Sequence, residues 1–249
     1  MNASGYVETL GARLYYQDWG AGEPVLLLHG NAQSHRVFRW YLRQLSPLYR
    51  VLLMDSRGHG LSLHREGRGE FSTADMAGDV AALLDHLKIR RCAIIGFSDG
   101  ANVALEFAAR FPDRARAVVA VSGNARPEGL ILPLRLFARG EYAAARMLER
   151  LPLLGTGLRR FFGERRQLAA LLCRSPQLGE EELGRIRAPV LLLAGTRDLV
   201  RTVHTRWMAA AIHNSRLDLR PGGTHGAFFQ QKEDYLARIL DFFRENNIK

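Results

Sequence analysis

The chain has 249 residues, a formal net charge of +10, 47% hydrophobic residues and 24% charged residues. That composition excludes a disordered polymer and leaves room for one large core with a small insertion. Of the 35 basic residues, 32 are arginine and only Lys88, Lys232 and Lys249 are lysine. They are scattered or interleaved with acids, not with aromatics, so a soluble arginine-biased surface is expected and a nucleic-acid partner is not. No apolar run approaches the ~18 residues that span a bilayer, and MNASGYVETLGARLYY has no basic-then-apolar signal pattern. A cytoplasmic protein without a membrane partner is therefore expected. Cys92 and Cys173 are expected as separate thiols.

In chain order, YVETL and ARLYYQ alternate about Gly11 and predict an antiparallel hairpin. PVLLLHG (24–30) reads as a buried strand, 34–46 as helical and RVLLMD (50–55) as another buried strand. Thr73 to Leu87 has helical spacing, with Ser72 or Thr73 as N-cap. CAIIGF (92–97) predicts a strand, 100–111 a helix and AVVAVS (117–122) a strand. PVLLLAG (189–195) predicts a strand, 202–213 a helix, 216–220 a strand and 232–244 a helix. Wholly apolar strands alternating with helices imply a parallel sheet covered on both faces. The rhythm breaks between 125 and 187, which holds no convincing strand but several short amphipathic helices. With 12 arginines and 7 glutamates, that segment carries about half of the net charge.

Between the strand ending at Phe97 and the following helix lies Gly96-Phe97-Ser98-Asp99-Gly100. This G-x-S-x-G turn between strand and helix presents Ser98 as a nucleophile. A serine hydroxyl needs a base, and the base an orienting acid. Downstream, Asp198 ends a strand in GTRDLV, and His225 sits among small residues in RPGGTHGAFF. Acyl transfer also needs oxyanion donors. The backbone N–H groups of Asn31, after the strand-end His29-Gly30, and of Asp99 are the candidates. Asp55 to Ser62 (DSRGHGLS) reads as a structural turn beside the elbow. His86, His204 and His213 are expected on helix surfaces, and His35 and His64 have no carboxylate in suggestive register. No CxxC or HxxxH-type pair suggests a metal, and no cofactor is expected.

These motifs, in this order and spacing, resemble the α/β-hydrolase superfamily over nearly the whole chain, from His29 to His225. The resemblance implies an α/β fold with a mostly parallel eight-stranded sheet, helices on both faces and a helical cap inserted after the sixth strand. The core would then be residues 1–124 and 188–249, with 125–187 as the cap. Asp directly after the serine resembles the valacyclovir hydrolase-like esterases, which act on amino-acid esters. By that resemblance Asp99 is a candidate to hold a substrate ammonium. An acid in the first turn of a helix also stabilises the helix by ~0.3–1 kcal/mol without any substrate. His29-Gly30-Asn31 also resembles the haloalkane dehalogenases, where the asparagine contacts halide and the nucleophile is an aspartate; by that resemblance Asn31 is a further candidate substrate contact. Asp99 in that role would need glycines at 97 and 101, which are Phe97 and Ala101, so the register favours Ser98.

The expected function is a serine hydrolase that cleaves a small carboxylic ester through an acyl-enzyme. Lactonase, thioesterase, aminopeptidase or C–C hydrolase chemistry on the same residues, or a slow ligand sensor, stays open. So does the oligomeric state.

Overall fold

The apolar runs form strands because each can bury both of its faces. In the computed structural model, which describes residues 2–64, 69–151, 153 and 155–249, β1 (Ala3–Thr9) and β2 (Ala12–Trp19) make the antiparallel hairpin. Next come β3 (Pro24–Leu28), α1 (Arg39–Leu45), β4 (Arg50–Met54) and a two-residue β5 (Leu63–His64). Helix α2 (Thr73–His86) opens with a capping box between Ser72 and Asp75. The chain continues with β6 (Cys92–Phe97), α3 (Asp99–Arg110) and β7 (Ala115–Val121). Helices α4 (Leu132–Glu149), α5 (Thr156–Arg174) and α6 (Glu180–Gly184) precede β8 (Val190–Arg197). Last are α7 (Thr202–Ala211), β9 (Ser215–Thr224), α8 (Ala227–Gln230) and α9 (Lys232–Glu245).

The sheet order is β1-β2-β4-β3-β6-β7-β8-β9, with β5 beside β2. All pairs from β4 to β9 are parallel. The eight expected strands lie on that path. The ninth, β5, is too short to show a period, and it makes the helical insertion follow the seventh strand instead of the sixth. Alternate strand residues feed two cores. Leu26, Ile94, Val118 and Leu192 face α2 and α3, whereas Leu27, Ile95, Val119 and Leu193 face α1 and α9.

This order sets the carboxyl ends of β3, β6, β7, β8 and β9 side by side, where open α/β sheets carry their sites. Leu28 pairs with Gly96 and Phe97 with Val121, so residues 29–31, Ser98 and Ser122 follow one another along the edge. Strand β9 runs past the expected 216–220. A Cβ on Gly195 would lie 1.9 Å from Gly223 O, so two glycines let the backbones close until Arg197 sits opposite Thr224. Asp198 and His225 are the next residue on each strand.

At the elbow, Ser98 has φ 54° and ψ −121°, a region that costs about 1–3 kcal/mol. A Cβ on Gly100 would fall 2.0 Å from Leu28 O, and one on Gly96 2.2 Å from Gly100 O. The helix can start this close to β3 and β6 only over glycine. Gly100→Ala is therefore expected to lower stability by about 3 kcal/mol or more, read as the urea midpoint with unchanged slope. A midpoint within error of wild type would contradict this packing.

Candidate active site

Ser98 is the N-cap of α3, yet its side chain does not cap the helix. Its Oγ lies 3.1 Å from His225 Nε2, and His225 Nδ1 lies 2.6 Å from Asp198 Oδ1. The three residues named from the sequence thus converge. In the tautomer that satisfies both contacts, Nδ1–H donates to Asp198 and Nε2 accepts from the serine. Ser98 is partly exposed and the His225 side chain is 24% exposed, so solvent reaches the reacting atoms.

Asp198 is buried. Burial pushes its carboxyl up, but hydrogen bonds from His225, Ser122 and the Val200 backbone outweigh it and hold the group below its ordinary value. Ser122 Oγ donates to Asp198 Oδ2 at 2.6 Å, and the Leu199 N–H donates to Oδ1 at 2.6 Å. Sequence reasoning missed Ser122, which directly follows β7 in a left-handed conformation (φ 55°). A small polar residue closing an apolar strand next to β8 was the available signal.

The loop after β3 is built around His29. Its Nε2 accepts from the Ser56 N–H at 3.1 Å, and its Nδ1–H donates to Gly30 O at 2.8 Å. Gln33 Oε1 accepts from the Gly30 N–H at 3.0 Å. Among the described residues, no acceptor is recorded for the backbone N–H of Asn31 or of Asp99. The Asn31 side chain is committed: its Nδ2 donates to Asp99 Oδ2 at 2.8 Å and to Leu168 O, on α5, at 3.0 Å. It ties the loop and the insertion together.

Asp99 is buried. Its carboxyl is pushed up by burial, an effect that the Asn31 hydrogen bond and the nearby His59 and His225 offset only in part. Asn102 Nδ2 also donates to it at 3.3 Å. Among the described residues it has no arginine or lysine partner.

The turn at Asp55 to Ser62 is structural, as expected. Arg57 makes a two-pronged ion pair with buried Asp79, both contacts at 2.6 Å, and Asp55 accepts from the Leu61 N–H. Two histidine expectations fail. His35 does meet a carboxylate, Asp55 Oδ1 at 2.8 Å. His204 is buried, not on the surface: its Nε2 accepts from the Ala125 N–H at 3.1 Å, and its ring fills the space over Gly129. Cys92 and Cys173 are unpaired. Among the described residues, no group of His, Cys, Asp and Glu is placed to hold a metal, and no helix is long and apolar enough to cross a membrane. Two cavities lie elsewhere: one of about 620 Å³ between α4 and α5, where Glu70 and Glu149 stand with Arg146, Arg150, Arg166 and Arg174, and one of about 880 Å³ beside the C-terminal end of α3 and α6. Neither is lined by Ser98, Asp198 or His225.

A family model described as alpha/beta hydrolase fold matches residues 23–168, more than half of the chain. The chain belongs to the α/β-hydrolase family. It is 29% identical over 245 residues to "Putative carbamate hydrolase RutD" of Caulobacter sp. (strain K31), covering 88% of this chain and 90% of that protein. The enol-lactonase from Burkholderia xenovorans LB400 is similar at TM-score 0.76 and 26% identity, over 96% of this chain and 100% of that one. A thermophilic esterase from Thermogutta terrifontis shares the fold at TM-score 0.77 and 23% identity, over 98% and 99% of the two chains. The protein is an enzyme of this α/β-hydrolase fold.

Burial holds the His29 and His204 imidazoles neutral, lowered to about 4 from 6.5. Both bind protons more weakly folded than unfolded. Their stabilisation is therefore complete above pH 6.5 and lost as pH falls toward 4, on the order of 2–3 kcal/mol per histidine. Denaturant midpoints at pH 7.5 and 4.5 are expected to separate less in His204→Gln than in wild type. Equal separations would show that His204 does not contribute.

Proposed function

We propose that this α/β-hydrolase is a serine esterase acting on a small carboxylic ester through an acyl-enzyme, with residues 125–187 as a cap over the site. The observation that carries the reading is the unbroken hydrogen-bond chain Ser98–His225–Asp198, with a serine hydroxyl released from capping its own helix. Ser98 Oγ attacks the ester carbonyl carbon as its proton passes to His225 Nε2. Asp198 holds the imidazole orientation and stabilises the imidazolium. The backbone N–H groups of Asn31 and Asp99 receive the oxyanion, each worth roughly 2.7–4 kcal/mol of the barrier. His225 then protonates the leaving alkoxide, and water attacks the acyl-enzyme with His225 again as base. The relatives named as a carbamate hydrolase and an enol-lactonase imply substrates with the same polarised carbonyl, so these chemistries compete with ester hydrolysis on the same residues.

Hydrolysis of p-nitrophenyl esters from acetate upward is expected to fall at least about a thousandfold in Ser98→Ala. Wild-type rates equal to those of Ser98→Ala on every ester would sink the esterase reading and favour a non-ester substrate or a sensor.

One observation favours a narrower substrate class. Asp99 is a buried carboxyl beside the nucleophile that meets only the Asn31 and Asn102 amides, and a substrate ammonium placed against it would favour its ionised form. Aminoacyl esters are accordingly the preferred class, despite the arginine-rich insertion. The ratio of kcat/KM for an aminoacyl ester over its deaminated analogue is expected to exceed about tenfold in wild type and to approach one in Asp99→Asn. A ratio unchanged by the substitution would leave Asp99 as a helix-terminus acid only.

A further inference from the structure

We propose that the outward face of the α4–α5 hairpin docks on an anionic lipid surface. Fourteen large hydrophobic side chains are exposed among the described residues, and eight of them lie between Leu132 and Phe161. On α4, Leu132, Leu136 and Met147 are 59%, 56% and 64% exposed. At 3.6 residues per turn they fall within an arc of about 60°, which also holds exposed Ala143. Phe137 is also exposed but lies about 80° beyond that arc, toward the flank of the helix. Across the hairpin, Leu158 and Phe161 open α5, where residues 156–161 are all exposed. An ordinary surface helix turns its apolar stripe inward. Here the inward side holds buried Ala138 and Ala145 with half-buried Leu134 and Leu148, and a second apolar stripe of larger side chains faces out.

The charge is arranged in the complementary way. Residues 132–174 hold nine arginines and three glutamates, with no lysine or aspartate, for a net +6. The three acids are used inside the hairpin: Glu141 pairs with Arg165, Glu149 with Arg166 at 2.6 Å, and Glu164 with Arg160 at 3.0 Å. Exposed Arg139, Arg146 and Arg150 have no acidic partner among the described residues, and they border the apolar arc on one side. An apolar face edged by unpaired arginines fits the interface of an anionic bilayer, with side chains among the acyl chains and guanidinium groups at the headgroups. A second copy fits it less well, because a two-fold contact would set the unpaired Arg139, Arg146 and Arg150 of one copy against those of the other. The proposal replaces the expectation of no membrane partner. That expectation rested on the lack of a spanning run, and a face spread at helical spacing produces none.

The test is co-sedimentation of the full chain with vesicles of phosphatidylcholine alone or mixed with phosphatidylglycerol, at low and high salt. Binding is expected to be at least about tenfold stronger with phosphatidylglycerol and to weaken with salt. Leu136→Glu with Met147→Glu should abolish it, as should Arg139→Glu with Arg146→Glu and Arg150→Glu. Both variants should keep the far-UV spectrum and the ester hydrolysis of wild type without vesicles. If either fails to fold, the lipid and salt dependence of wild type still decides. Absence of sedimentation, equal binding to both vesicles, or binding that both folded variants retain would overturn the proposal. So would a wild-type dimer that Leu136→Glu splits, which would assign the face to a second copy.

Discussion

Ser98 can hold its left-handed backbone only because two chains pass almost in contact around it. The oxygen of Leu28 occupies the place of a Cβ on Gly100, and the oxygen of Gly100 occupies the place of one on Gly96. This contact fixes where α3 begins, and so where the serine hydroxyl points. The Ser98 N–H donates to Val121 O at 2.8 Å, and its carbonyl accepts from Ala101 and Asn102. The backbone strain is thus offset by hydrogen bonds at both the N–H and the carbonyl of Ser98, while among the described residues the Asp99 N–H stays without an acceptor. A second close approach, Gly195 against Gly223, brings Asp198 level with His225 in the same manner. The catalytic proposal depends on these two glycine contacts more than on any feature of the reacting side chains.

Around that frame, buried polar groups fix the reacting ones from behind. Ser122 and the backbone after β8 saturate Asp198 with donors, which favours its ionised form beside the imidazole. His29, neutral through burial, holds the 30–33 loop shut while leaving the Asn31 N–H free of a recorded acceptor. Asn31 then connects Asp99 to the Leu168 carbonyl, so the site and the helical insertion share one side chain. Displacement of α5 would break that bond, which links the insertion physically to the group proposed to select the substrate.

Most of the fold was legible because continuous apolar runs such as PVLLL and CAIIGF can only be buried strands. The elbow was legible because glycine two residues to either side of a serine marks a turn that other residues cannot make. What escaped was set by partners distant in sequence. Nothing local reveals that His204 closes over Gly129, 75 positions earlier, or that His35 meets Asp55, 20 positions on. Ser122 looked like an ordinary strand terminus until β8 supplied Asp198. Pro221-Gly222-Gly223 lies beyond the strand expected at 216–220, yet glycine there lets β9 continue to Thr224. The exposed apolar face of α4 has the same helical period as a buried one, so periodicity located the helix but not the side that packs.

The most direct test of the central claim is covalent labelling of the enzyme by a fluorophosphonate, followed by intact mass and peptide mapping. The account predicts one adduct per chain, on Ser98, forming far more slowly in His225→Ala and in Asp198→Asn. No adduct, an adduct on another residue, or labelling of Ser98 at an undiminished rate without His225 would contradict it.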